Sequence, residues 1–131
     1  MGLRPRIEKE RATFVGFGRS TAKASQFILA NPVAGAKAFL KLYPETAPRG
    51  SSEEQAVKSV LEAVSRRIKL YEPPYQGAKM GSIRVDEFAT EAKMNEWDIK
   101  DFSKIYTNDL IGEINNFDAE KIRAQARAYT G

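Results

Sequence analysis

Apolar side chains recur along much of the chain at the three- and four-residue intervals of an α-helix. Between residues 7 and about 30, this spacing predicts an amphipathic helix with one apolar face. The face consists of Phe14, Phe17, Thr21, Ala24 and Ile28. Gly16 and Gly18 also lie in this segment, where a glycine costs about 1 kcal/mol relative to alanine. They therefore predict close packing against another element, or a kink.

Polar caps and prolines predict where the next helices begin. Asn31 can accept a hydrogen bond from the free N–H groups of a helix that starts at Pro32. That helix should end near residue 43, before Pro44. Ser51 and Glu54 have capping-box spacing. They predict a third helix from residue 52 to about residue 70.

The rest of the chain alternates between irregular segments and shorter helical patterns. Two prolines and two glycines between residues 71 and 82 indicate an ordered surface loop. Helices are then predicted at about 85–97, from 107 or 108 to about 115, and from 119 to about 129. No strand-like alternation is present. We therefore expect a single all-α domain over residues 1–131, with about six helices in a small irregular bundle and a basic start at about 1–7.

The amino-acid composition excludes several kinds of functional site. The 131 residues include no cysteine and no histidine, so disulfides, thiolate zinc sites, cysteine nucleophiles and the commonest general base are all excluded. Neighbouring carboxylates such as Glu53 and Glu54, or Asp86 and Glu87, fall in predicted first helical turns, where the helix dipole favours them. We expect no catalytic residue, no metal site and no cofactor.

The net charge of +4 is concentrated at the start of the chain. The first fifty residues hold nine Lys or Arg against three Glu, and the remainder is close to neutral. Such a segment can attract anionic partners or form a solvated helix start. Nucleic acid is a minor alternative, because the basic and aromatic clusters lie far apart. The chain lacks the apolar core of a signal peptide, so it is expected to be cytoplasmic if expressed as written.

Aromatic side chains gather around the irregular segments. Tyr71, Tyr75, Trp97 and Tyr106 all lie there. Aromatic residues on loops beside a helical core can wall a small-molecule pocket. They can equally be core residues whose polar tips reach water. The sequence leaves both interpretations open.

Five strings occur in an order that resembles a known family. They are Phe14-Val-Gly-Phe-Gly-Arg-Ser20, Asn31-Pro32, Leu42-Tyr-Pro-Glu45, Tyr106-Thr-Asn-Asp-Leu110 and Ile114-Asn-Asn-Phe-Asp118. An alanine-rich helix follows them. Together they resemble the C-terminal portion of the ABC-transporter substrate-binding proteins of the nitrate/sulfonate/taurine and thiamine-pyrimidine-precursor class. The resemblance covers the chain from about residue 8 onward.

The resemblance implies a non-catalytic role in the import of a small solute. In that family two α/β lobes enclose the solute, the C-terminal stretch is helical and packs on the first lobe, and the protein works in the periplasm or on the outer cell surface. The partners implied are the remainder of such a protein, its permease and, in that context only, a solute. The residues expected to touch solute are Tyr75, Tyr106 and Asn108.

The strands and most cleft-forming loops of that family have no counterpart in these 131 residues. The chain therefore resembles a piece of such a protein, and some helix faces should lack the sheet on which they would pack. A homo-oligomer, most simply a twofold dimer, would cover those faces. The alternative to a solute-binding-protein segment is a free-standing helical module that binds another protein through an exposed apolar face.

Overall fold

The predicted all-α class is confirmed. A computed structural model describes residues 3–131, and no strand occurs within that range. It contains seven α-helices where about six were expected: α1 (Arg4–Lys9), α2 (Arg11–Ala30), α3 (Pro32–Leu42), α4 (Glu53–Ser65), α5 (Val85–Met94), α6 (Ile111–Ile114) and α7 (Ala119–Ala128). Short 3₁₀ turns lie at Pro44–Thr46, Ile68–Tyr71 and Phe102–Lys104. Over the same residues, no helix has the length and apolarity needed to cross a bilayer. Residues 1 and 2 of the expected basic start lie outside the described part.

The described chain groups into two units. The first contains residues 3–19 and 73–116, and the second contains residues 20–72 and 117–131. Helix α2 contributes residues to both units. The single domain expected from the sequence stays a prediction.

Four aromatic side chains form a cluster in the first unit. The Phe88 ring lies 5.4 Å from the Tyr106 ring, 5.6 Å from Phe102 and 6.3 Å from Trp97, measured between centroids. Edge-to-face pairs at such distances add to the energy of simple burial. The cluster joins α5 to the segment 97–106, which contains little regular structure of its own.

The second unit packs through small side chains. Helix α3 contacts α4 and α7, and the buried residues are Ala22 of α2, Ala34 and Ala36 of α3, Ala56 of α4 and Ala126 of α7. Asn31 caps α3 as predicted, because its side-chain oxygen accepts from the Ala34 N–H at 3.1 Å. Its amide nitrogen also donates to the Ala126 carbonyl at 3.0 Å. One side chain therefore caps one helix and ties a second to it.

Several helix boundaries differ from the prediction, and α5 and α6 are both shorter than expected. The first helical segment is divided at Glu10, which caps the C-terminus of α1 with φ −111° and ψ 28°. The capping box of α4 uses Ser52 and Gln55 instead of Ser51 and Glu54. Both pairs have the required spacing, so the sequence alone did not decide which serine is the cap. Helix α4 also ends at Ser65, before the 3₁₀ turn Ile68–Tyr71, and so is shorter than expected.

The predicted inward face of α2 is also wrong in part. Phe17, Thr21 and Ala24 are exposed, whereas Val15 and Ala22 are buried. The buried positions are small, and the helix approaches its neighbours closely at Gly18. The same preference holds elsewhere: Val33 and Tyr43 of the predicted α3 face are exposed, while Ala36 is buried. Close packing of small residues thus leaves large apolar side chains outside.

Candidate functional site

The first unit contains a cleft of about 470 Å³ between the beginning of the chain and the segment 103–110. Ile7 and Phe14 supply apolar surface, and Arg4 and Arg11 supply charge. Tyr106 is the one residue of the three expected solute contacts that lines it. The cleft has a volume within the range of ligand sites.

Both guanidinium groups in this cleft already have partners. Arg4 donates to the Ser103 carbonyl at 2.7 Å. Arg11 forms an ion pair with Glu113, and its Nε lies 2.9 Å from the carboxylate oxygen Oε1. The hydrogen bond to Glu113 raises the pKa of Arg11 above its ordinary value. These contacts fasten the start of the chain to the segment 103–113.

Asn108, a second expected solute contact, uses its amide on the backbone. Its oxygen accepts from the Ile83 N–H at 3.0 Å, and its nitrogen donates to the Ile83 carbonyl at 3.1 Å. This pair of hydrogen bonds to one residue imitates the pairing between two strands. Tyr106 is likewise engaged through its ring with Phe88. Tyr75 is half exposed in the loop before α5. Their role as solute contacts stays a prediction.

Asn115 was not predicted as a site residue, yet its amide binds both backbone groups of one residue, as the Asn108 amide does. Its oxygen accepts from the Met80 N–H at 3.1 Å, and its nitrogen donates to the Met80 carbonyl at 3.0 Å. Met80 is buried, so its backbone groups need such partners. The contact joins residues 35 positions apart in the chain, so no local pattern indicated it. Two amides thus hold the loop 80–83.

The paired carboxylates lie where helix capping predicts them. Asp86 and Glu87 are in the first turn of α5, and Arg84 binds them at 2.5 and 2.7 Å. The hydrogen bond from Arg84 lowers the pKa of Asp86 below its ordinary 3.8. Arg123 acts in the same way on Glu120, whose pKa is also lowered. A general acid at neutral pH needs the opposite shift. Within residues 3–131, no cluster of three or more carboxylates could hold a metal ion.

The second unit contains an apolar groove of about 580 Å³ that is lined by α3, α4 and the end of α2. Phe39, Val60 and Val64 are among its apolar lining residues. Arg66 and Arg67, which directly follow the C-terminal end of α4, also line it. The groove has no carboxylate among its lining residues, which are apolar apart from Arg66, Arg67 and Tyr71.

No family model, no curated protein and no solved structure matches this chain. Its function therefore has to be argued from its own surfaces.

Proposed function

We propose that this chain is the C-terminal helical segment of a solute-binding protein for ABC-type import of a small solute such as a sulfonate, nitrate, taurine or a pyrimidine. The ordered strings from Phe14 to Asp118 support the family. In this role the helices form a wall that packs against an α/β body. The chain itself carries out no chemical step, and it works outside the cytoplasmic membrane together with its permease.

The observation that carries the proposal is an excess of accessible surface. The chain exposes 9897 Å². A globular monomer of 14.6 kDa exposes about 6,900 Å², and even two separate domains of half that mass expose only about 8,300 Å² together. Roughly 1,500 to 3,000 Å² of surface is thus available beyond what a self-contained protein shows, which is the scale of a large protein interface.

Large apolar side chains are exposed in both units. Leu42 and Leu70 in the second unit are 74% and 80% exposed, and Met94 in the first is 78% exposed. The buried hydrophobic residues are six alanines, Val15 and Met80. Large apolar side chains that lie outside a core of small ones are available for contact with another protein.

A free-standing helical interaction module is the second candidate. The groove of the second unit favours it, since that groove is formed by residues of this chain alone. The genomic neighbourhood separates the two candidates. Permease and ATPase genes, or a reading frame for two α/β lobes, support the first, and their absence supports the second.

The experiment uses a thermal-shift panel of nitrate, sulfonates, taurine and pyrimidines at millimolar concentration, checked by calorimetry. It compares this chain alone with the chain mixed with the two lobes of a solute-binding protein of this class from the same genome. We expect no micromolar binding by the chain alone, because an open helical wall does not enclose a solute. We expect one solute to stabilise the mixture. Micromolar 1:1 binding to the chain alone would refute the fragment role, and so would a mixture that never forms a complex.

A further inference from the structure

The groove of the second unit is formed by one face from each of two helices. Helix α3 contributes Pro32, Gly35, Ala36 and Phe39, which follow the spacing i, i+3, i+4 and i+7. On α4 and just beyond it, the same spacing recurs in Val60, Ala63, Val64 and Arg67. Apart from Arg67, every member of these two rows is apolar. The two rows lie on helices that contact each other, and together they line one furrow.

Several side chains that line the furrow are accessible to solvent. Phe39 is 41% exposed and Ala63 is exposed, while Val60 and Val64 are half-buried. A small molecule gains affinity when most of its surface is enclosed, and an open furrow does not provide that. An amphipathic helix needs only one face buried, and its own i, i+3, i+4 and i+7 side chains fit such a surface.

Two arginines give the furrow a positive charge. Arg66 and Arg67 are exposed there, and neither has an ion-pair partner among the described residues. The second unit as a whole holds eleven Lys or Arg against seven Asp or Glu, so the net charge of +4 lies there. In contrast, Arg84 and Arg123 elsewhere in the chain are paired with carboxylates.

We propose that this furrow binds one amphipathic helix of another protein, with the apolar face of that helix against α3 and α4 and its acidic side chains against Arg66 and Arg67. A second copy that docked through its own second unit is a poorer occupant, because that unit has the same net positive charge as the furrow it would meet. The inference goes beyond the proposed role in solute import, since it identifies the surface and the chemistry of its partner without depending on which protein supplies the helix.

The probe is a fluorescein-labelled synthetic helix with leucine at i, i+3, i+4 and i+7 and glutamate on both flanks of that stripe. A matched peptide has lysine in place of each glutamate. Fluorescence anisotropy of the full chain should show saturable binding of the glutamate peptide, at least tenfold tighter than that of the lysine peptide. The double variant R66E/R67E should reverse this preference, and A63E should weaken binding of both peptides at least tenfold.

The control is K58E, which makes the same kind of charge change on α4 outside the furrow. It should alter binding less than twofold, and circular dichroism should show that every variant retains its helices. The proposal fails if neither peptide binds at millimolar concentration. It also fails if both bind equally, or if K58E weakens binding as much as R66E/R67E does. A wild-type dimer in sedimentation that A63E dissociates would assign the furrow to a second copy instead.

Discussion

Ile114 fills the space that a β-carbon on Gly18 would need. Such an atom would lie 2.6 Å from Cδ1 of Ile114 and 2.9 Å from its Cγ1. Both residues belong to the first unit, so the contact fixes how closely α2 approaches α6. Gly16, one half-turn earlier in α2, shows the opposite situation, because a β-carbon there meets nothing within 4 Å.

Alanine at these two glycines should therefore change stability in opposite directions. G16A should raise the free energy of unfolding by about 1 kcal/mol, the difference in helix propensity. G18A gains the same propensity but overpacks against Ile114, which costs about 1 to 3 kcal/mol. We expect G18A to be about 1 kcal/mol less stable than wild type in urea denaturation.

The double variant G18A/I114V provides the control for this pair. Valine lacks Cδ1, the atom that would lie nearest to the added β-carbon, so it should recover part of the stability that G18A loses. A G18A variant as stable as G16A would show that α2 and α6 do not approach as described.

Glu96 adopts a left-handed backbone conformation, with φ 56°. It follows α5 in a Schellman arrangement, in which the Trp97 N–H donates to the Ala92 carbonyl at 2.9 Å. Glycine tolerates this conformation without a steric cost. E96G should therefore raise the melting temperature, with a gain of about 0.5 to 1 kcal/mol. K93G, three residues earlier in the helix, should instead cost about 1 kcal/mol. Equal losses from the two variants would contradict the cap.

The two asparagines that hold the loop 80–83 should differ in how much they stabilise the fold. N115A removes hydrogen bonds to both backbone groups of buried Met80 and to the Ile111 carbonyl. It should cost about 2 to 3 kcal/mol, since buried groups are left unsatisfied. N108A removes two bonds at an exposed position and should cost about 1 kcal/mol. Urea denaturation measures the free energy of unfolding of both variants. A larger loss of stability in N108A than in N115A would contradict this prediction.

Stability should be insensitive to pH near neutrality and should fall in acid. The chain has no histidine. Arg84 and Arg123 lower the pKa values of Asp86 and Glu120 below their ordinary 3.8 and 4.5. Groups with a lowered folded pKa contribute stability above the unfolded pKa and lose it as pH falls through the folded pKa. The melting temperature should therefore stay level from pH 7 to about 5 and decline below about 4.5. E120Q should flatten that decline, and a decline that begins above about pH 6 would contradict this assignment.

Sequence patterns predicted the helices well because their signals are local. Asn31 and Pro32 marked the start of α3, and Asp118 marked the start of α7. Gly18 correctly indicated close packing, whereas a β-carbon on Gly16 would meet nothing within 4 Å. Local patterns cannot distinguish those two glycines, since the difference lies in Ile114, far away along the chain.

The candidate site was harder to predict than the fold. Asn108 was chosen because amides at irregular joints can bind a solute, but its amide bonds Ile83, twenty-five residues earlier. Phe17 was expected in the core because it is large and apolar, yet it is 76% exposed. Which apolar face a helix buries depends on its neighbours, and the helix's own sequence does not contain that information.

The central claim is that another protein body covers the apolar surface of this chain. The most direct test is calorimetric titration, at several temperatures, of the chain with the two α/β lobes of a solute-binding protein of the proposed class from the same genome. Burial of about 3,000 Å² in total should give a 1:1 complex with a heat-capacity change on the order of −0.5 kcal/mol/K. A titration without heat at every temperature, or a complex with a heat-capacity change near zero, would contradict the claim.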